Sequence, residues 1–165
     1  MDIAVVYYSL EGHTDFIARK IWEQTGAVPI RLFPKKEFPN DGFKKYFWCG
    51  KSSMFHEKPE LSNEPLQLDT YDTIVVGTPT WAGSMTSPIR SFLAKENLKG
   101  KQVYLFACNS GGKDDKCFAQ MSKYLEDNTL KGWASFNQPT EENFETMKGE
   151  FDRFCEAIQA GKQYP

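Results

Sequence analysis

A chain of 165 residues is the length of one α/β domain, long enough to bury a sizeable core and too short for two ordinary catalytic domains. Its 40% apolar and 15% aromatic content excludes intrinsic disorder. Its 20 basic and 22 acidic side chains, a formal charge of −2, supply neither a field for general nucleic-acid binding nor a polybasic membrane anchor. The uncharged apolar runs, such as residues 103–108, are strand length rather than membrane length, and no leader-like segment opens the chain, so a cytoplasmic protein without a membrane partner is expected. Cys49, Cys108, Cys117 and Cys155 occur singly, without CxxC pairs or histidines at zinc spacing. Reduced thiols are therefore expected in place of disulfides or a metal site.

In chain order, residues 2–8 form a nearly continuous apolar, β-rich run, the pattern of a strand covered on both faces. Residues 14–24 follow with Phe16, Ile17, Ile21 and Trp22 on one helical stripe. A second strand is predicted over 28–33. The stretch 34–65 is irregular, punctuated by Pro34, Pro39, Pro59 and Pro65, with several lysines and an aromatic cluster of Phe43, Tyr46, Phe47, Trp48 and Phe55. Phe43, Tyr46 and Phe47 at i, i+3 and i+4 predict a short helix there. Its aromatics are expected to be core, the alternatives being a pocket wall or a docking surface, and Lys44-Lys45 reads as a solvated face. Strands are predicted next over 73–77 and 101–108, and a weaker one over 133–136. Helices fall at 88–95, opened by Pro88, at 116–127 with Phe118, Met121, Tyr124 and Leu125, and at 144–158 with Phe144, Met147, Phe151, Phe154, Cys155 and Ile158. This alternation predicts a single α/β domain over 1–165, a three-layer, doubly wound, five-stranded parallel sheet with helices on both faces and one insertion at about 34–65.

Ligands of open parallel sheets sit beyond the carboxyl ends of the strands, where residues 9–13 lie. Ser9 and Thr14 offer hydroxyls, Gly12 lets the backbone curl around an anion, and the first helix directs free amides at the same place. With no GxxxxGK[ST], a monophosphate fits better than a nucleoside triphosphate. Alternatively, Ser9 and Thr14 cap the helix. His13 is expected to contribute its backbone amide rather than its ring, and Glu11 to turn its carboxylate outward while its amide points in.

The run Val5-Val-Tyr-Tyr-Ser-Leu-Glu-Gly-His-Thr14 resembles the phosphate loop of flavodoxins and flavodoxin-like FMN proteins, whose common form is T/S-x-T-G-x-T. Ser9, Gly12 and Thr14 are kept, and Glu11 replaces one hydroxyl. Gly77-Thr-Pro-Thr-Trp-Ala-Gly83 and Cys108-Asn-Ser-Gly-Gly112 resemble the two flavin-flanking loops of that family. The resemblance implies strand order 2-1-3-4-5 and noncovalent FMN across the tips of strands one, three and four. In the second loop Trp81 would supply a stacking surface, Thr78 and Thr80 polar contacts beside Pro79, and Gly83 a close backbone approach. In the third, Asn109, Ser110, Gly111 and Gly112 would give amides to the pyrimidine edge, or form only a flexible turn. Cys108, without an activating neighbour, is expected to be inert. Gly83 permits φ > 0, so the Ala82–Gly83 peptide is expected to take a type I or type II arrangement. The resemblance implies that a carbonyl so reversed meets N5–H of the reduced flavin.

These residues predict an FMN-binding carrier of electrons between redox partner proteins. The alternative is an NAD(P)H-dependent quinone or related reductase passing electrons to a small acceptor. A third reading is a cofactor-free interaction domain. Flavodoxins are typically very acidic, and the charge of −2 departs from that pattern.

Overall fold

The computed structural model describes residues 2–165, apart from the side chain of Tyr46. The i, i+3, i+4 reading at Tyr46 therefore lies partly outside the described residues. Strand β1 (Ile3–Tyr7) is buried at all five positions, and its period of two sends alternate side chains into different cores. Val5 and Tyr7 pack with Phe16, Ile17 and Ile21 of helix α1 (His13–Thr25) and with Phe151, Phe154 and Ile158 of α5 (Phe144–Ala160). Ala4, Val6 and Tyr8 face the other way, toward Ile89, Phe92 and Leu93 of α3 (Ser87–Glu96) and Phe118 and Met121 of α4 (Asp115–Lys123). Each fully buried Phe or Ile contributes roughly 1.5–3 kcal/mol relative to exposure.

Among the described residues five parallel strands make the sheet, in the order β2 (Val28–Arg31), β1, β3 (Thr73–Trp81), β5 (Gln102–Asn109) and β6 (Thr129–Asn137). Among the parallel strands this is the expected 2-1-3-4-5 sequence. The added element is β4 (Ser84–Met85), a two-residue antiparallel partner to the end of β3. It exists because β3 runs four residues beyond its predicted end and folds back on itself. Gly77 sits inside this strand, not at its tip, and a Cβ there would lie 2.1 Å from Cζ of Phe106.

Three other expectations are corrected. Trp22 is half exposed at the margin of the α1 stripe. Helix α4 ends at Lys123, before the predicted 127, because Asn128 ties the following turn down: its Oδ1 accepts from Lys101 N–H (3.0 Å) and its Nδ2 donates to the Leu98 carbonyl (2.7 Å). The largest correction is α2 (Gly42–Met54), thirteen residues long. Phe43, Phe47, Trp48 and Phe55 are exposed, not core. The helix docks instead through small side chains. Ser52 donates to Ser87 Oγ, Ser53 donates to the Met85 carbonyl (3.3 Å), and Cys49 is buried beside them. No helix among the described residues is long and apolar enough to cross a membrane.

Candidate functional site

The register Tyr7↔Gly77 and Pro79↔Cys108 brings the ends of β1, β3 and β5 to one edge of the sheet. A cavity of about 40 Å³ lies there, lined from the first segment by residues 9–11, 13 and 14, from the second by Pro79, Thr80 and Trp81, and from the third by Cys108, Asn109 and Ser110. That volume is several times what one water needs and far below a drug-sized pocket of about 300–1,000 Å³. A compact anion fits inside it, and a larger ring system does not.

Helix α1 starts behind Gly12, whose φ of 104° is left-handed, and no side chain among the described residues caps it. The capping alternative is thereby corrected. Ser9 Oγ accepts the Gly12 amide (3.2 Å) and keeps its own hydrogen for donation, so the Gly12 amide itself is already engaged. Thr14 is 1% exposed, and its Oγ1 has no hydrogen-bond partner among the described residues beyond the weakly bonding Cys108 thiol beside it. A buried unpaired hydroxyl costs about 1–3 kcal/mol. The uncapped helix end and this hydroxyl together offer donors to an oxyanion.

Glu11 does not turn freely to solvent. Its Oε1 lies 3.2 Å from Lys45 Nζ and its Oε2 3.9 Å from His13 Nε2. Lys45 thus offsets the carboxylate beside the cavity, and is not the solvated lysine expected. The His13 ring is also engaged: Nδ1 lies 3.0 Å from the Pro139 carbonyl, and since a carbonyl only accepts, Nδ1 carries a hydrogen. The ring fastens the start of α1 to the turn after β6.

Thr78 is fully buried and does not line the cavity. Its Oγ1 accepts the Thr86 amide (3.1 Å) and donates to the Pro79 carbonyl (2.7 Å), bracing the hairpin and leaving no polar contact for a ligand. Thr80 Oγ1 donates to Asp114 Oδ1 (2.7 Å), and Asn109 Nδ2 donates to Asp114 Oδ2 (2.7 Å). Asp114, 5% exposed, therefore ties the second segment to the third. Sequence reasoning missed it, because an Asp just ahead of α4 reads as a helix cap, yet its carboxylate makes no cap bond. Asn109 Oδ1 in turn accepts the Gly111 amide (3.0 Å), so that amide is not free as expected.

Trp81 is partly exposed and held edge-on by Tyr8 (5.7 Å, 88°) and Phe38 (5.0 Å, 70°). Tyr8 donates to Glu37 (2.7 Å), and burial, then this bond, push its phenol well above the usual range. Phe38 was not singled out from the sequence; it stands apart from the aromatic cluster, between Glu37 and Pro39. Ala82 and Gly83 have φ of 51° and 75°, the paired positive values of a type I′ hairpin in place of the expected type I or II turn, because a primed turn matches the twist of β3 and β4. Neither residue lines the cavity, nor do Gly12, Gly111 and Gly112. Burial pushes the Cys108 thiol up to about 12, leaving it protonated at neutral pH.

With three strand ends converging on an uncapped helix, the geometry meets a specific likeness: a flavodoxin family model matches residues 2–148. The chain belongs to the flavodoxin family. A flavoprotein in complex with FMN from Lactobacillus acidophilus superposes with a TM-score of 0.72 at 18% identity, covering 89% of this chain and 98% of that one. Two-electron reduced flavodoxin from Megasphaera elsdenii gives 0.60 at 19% identity, covering 96% and 98%. At these identities the likeness shows this flavodoxin-family fold alone. Among curated proteins, an "NAD(P)H dehydrogenase (quinone)" from Solidesulfovibrio magneticus is 32% identical over 97 residues, 56% of this chain and 47% of the relative. The chain thus matches about half the length of that protein. For a flavodoxin-family member the donor set suits a flavin phosphate: a poorly satisfied buried hydroxyl, an uncapped helix and a phosphate-sized cavity.

Proposed function

We propose that this chain binds one FMN noncovalently and transfers electrons through it. The observation that carries the reading is the buried Thr14 hydroxyl at the uncapped start of α1, which among the described residues meets only the weakly bonding Cys108 thiol. Thr14, Ser9 and the first-turn amides of α1 would hold the phosphate, with Lys45 cancelling the repulsion of Glu11. Trp81, Pro79, Asn109 and Ser110 would flank the ring, at a spacing kept by the Thr80–Asp114–Asn109 chain. When bound, the flavin supplies the redox chemistry, and the protein supplies binding and orientation. No protein acid or base is needed to carry an electron to a redox partner protein.

A second reading, an NAD(P)H-dependent reductase of quinones or related acceptors, is favoured by the name of the Solidesulfovibrio relative. The charge of −2 supports it too, since it gives little field for steering basic partner proteins. Fluorescence titration with FMN and with FAD tests the site: FMN should bind and FAD should bind less well, because one phosphate-sized cavity has no place for a second phosphate and adenine. Tighter binding of FAD would remove the assignment. Anaerobic titration then separates the roles. Bleaching by NADPH at catalytic rates selects the reductase, and reduction only by dithionite or a partner protein selects the carrier.

A further inference from the structure

The irregular segment after β2 supplies no residue to the lining of the cavity at α1, yet one of its carboxylates acts on a residue that does. Glu37 Oε1 accepts two hydrogen bonds, from the Tyr8 hydroxyl (2.7 Å) and from the Phe38 backbone N–H (3.2 Å). Bonds to an ionised acceptor are stronger than bonds between neutral groups. Tyr8 is 1% exposed, so its hydroxyl depends on this acceptor in place of water.

The two residues that Glu37 bonds are the two whose rings meet Trp81. Tyr8 and Phe38 stand at 88° and 70° to the indole, with centroids 5.7 and 5.0 Å away, and at 72° to each other across 6.5 Å. Three rings in contact at such steep angles interlock, and the indole loses the rotamer freedom it would have on an open strand end. The segment that brings Glu37 is itself pinned on both sides. Lys35 N–H donates to the Glu60 carbonyl (2.8 Å), and Asn40 Nδ2 donates to the Leu10 carbonyl (3.1 Å) in the loop before α1.

We infer that Glu37 is a positioning residue for Trp81: one carboxylate oxygen locks the two rings that wedge the indole, and so sets its plane before a ligand arrives. This inference rests on the reading of Trp81 as a flank of the flavin ring. A flank fixed in advance costs less ordering on binding than a free one, and that saving is the role the structure assigns to this part of the 34–65 insertion.

The test uses the full chain and two readouts. Without added flavin, the near-ultraviolet circular dichroism of the parent minus that of Trp81→Phe isolates the signal of the fixed indole; this signal should largely vanish in Glu37→Leu and persist in Glu37→Gln, whose amide oxygen still accepts. In fluorescence titration Glu37→Leu should weaken FMN binding by about two- to tenfold, with Glu37→Gln within about twofold of the parent. In a Trp81→Ala background Glu37→Leu should have no further effect. Tyr8→Phe removes the same hydroxyl bond without stranding a buried donor, so it carries both readouts if Glu37→Leu fails to fold. The inference is overturned if the indole signal survives Glu37→Leu and Tyr8→Phe, or if Glu37→Leu weakens FMN binding equally with and without Trp81. A parent that binds no FMN sinks the flavin reading instead, and the dichroism then decides by itself whether Glu37 fixes the indole.

Discussion

Thr14 and Asp114 are both buried polar residues at the strand tips, and they predict opposite behaviour. Among the described residues Thr14 Oγ1 has no hydrogen-bond partner beyond the weak Cys108 thiol, so Thr14→Val removes a poorly satisfied group while keeping the shape. The variant should be as stable as the parent or more so by up to about 1–3 kcal/mol, yet bind FMN about tenfold or more weakly through loss of a bond to a charged oxygen. A stability loss with unchanged FMN affinity, read from urea midpoints and fluorescence titration, would place this hydroxyl in the scaffold. Asp114 is fully engaged by Thr80 and Asn109, and Asp114→Ala strands both donors. The expected cost is about 2–4 kcal/mol in the urea midpoint, since each bond to a charged group is worth roughly 1.5–3 kcal/mol. A change below about 0.5 kcal/mol would show that the loops are held by other contacts. Of these two residues only Thr14 was legible beforehand. Its place in a strand-to-helix motif is local, whereas the partners of Asp114 lie 34 and 5 residues away.

At the scale of elements, the β3–β4 hairpin and α2 depart furthest from the pattern. Periodicity ended β3 at residue 77, because Thr78, Pro79 and Thr80 look like a polar loop; pairing with β4 and the bonds of Thr78 keep them in the strand. Ala82 in this turn carries a left-handed φ of 51°, a conformation costing an L-residue roughly 1–2 kcal/mol. Ala82→Gly should relieve it, offset in part by about 0.4–1 kcal/mol of added unfolded-state freedom. The melting temperature should rise by about 2–4 °C for each kcal/mol gained, and a fall in calorimetry would show that the turn is unstrained. Gly77→Ala has the opposite expectation. Its Cβ would strike the Phe106 ring at 2.1 Å, an overpacking worth about 1–3 kcal/mol, and Phe106→Leu in the same chain should restore part of the loss. In α2 the aromatic spacing announced the helix correctly but gave the wrong face, since Cys49, Ser52 and Ser53 go inward. Small residues allow close approach to α3 and β4, and that advantage depends on neighbours absent from the local pattern.

Over the whole molecule, burial sets a common alkaline limit. The four thiols, Cys49, Cys108, Cys117 and Cys155, are each pushed from about 9 up to about 12, chiefly by burial. Tyr104 is likewise pushed up to about 12 by burial; its one hydroxyl hydrogen is shared between the Ala157 and Lys162 carbonyls (2.9 and 2.6 Å). For these groups the neutral, protonated form is the one the fold favours. The unfolded chain releases its thiol protons near pH 9 and its phenol protons near 10, while the folded chain holds them to about 12. Stability is thus fully present below pH 9 and declines as pH rises from 9 toward 12. Urea midpoints measured from pH 7 to 11 should be level up to about 8.5 and then fall; a level profile to pH 11 would show that the thiols are not buried in solution.

The sequence by itself determined the alternation of strands and helices, the parallel sheet and the loop at residues 9–14, because each rests on periodicity or spacing within a dozen residues. It also marked Trp81 and residues 108–110 as neighbours of that loop, through the resemblance of three segments in one order. Tertiary structure alone decided the length of β3, the inward face of α2, the bracing role of Thr78 and the link through Asp114. Each of these depends on a partner distant in sequence, and whether a polar side chain is satisfied inside the protein or left to meet a ligand is settled only when that partner arrives.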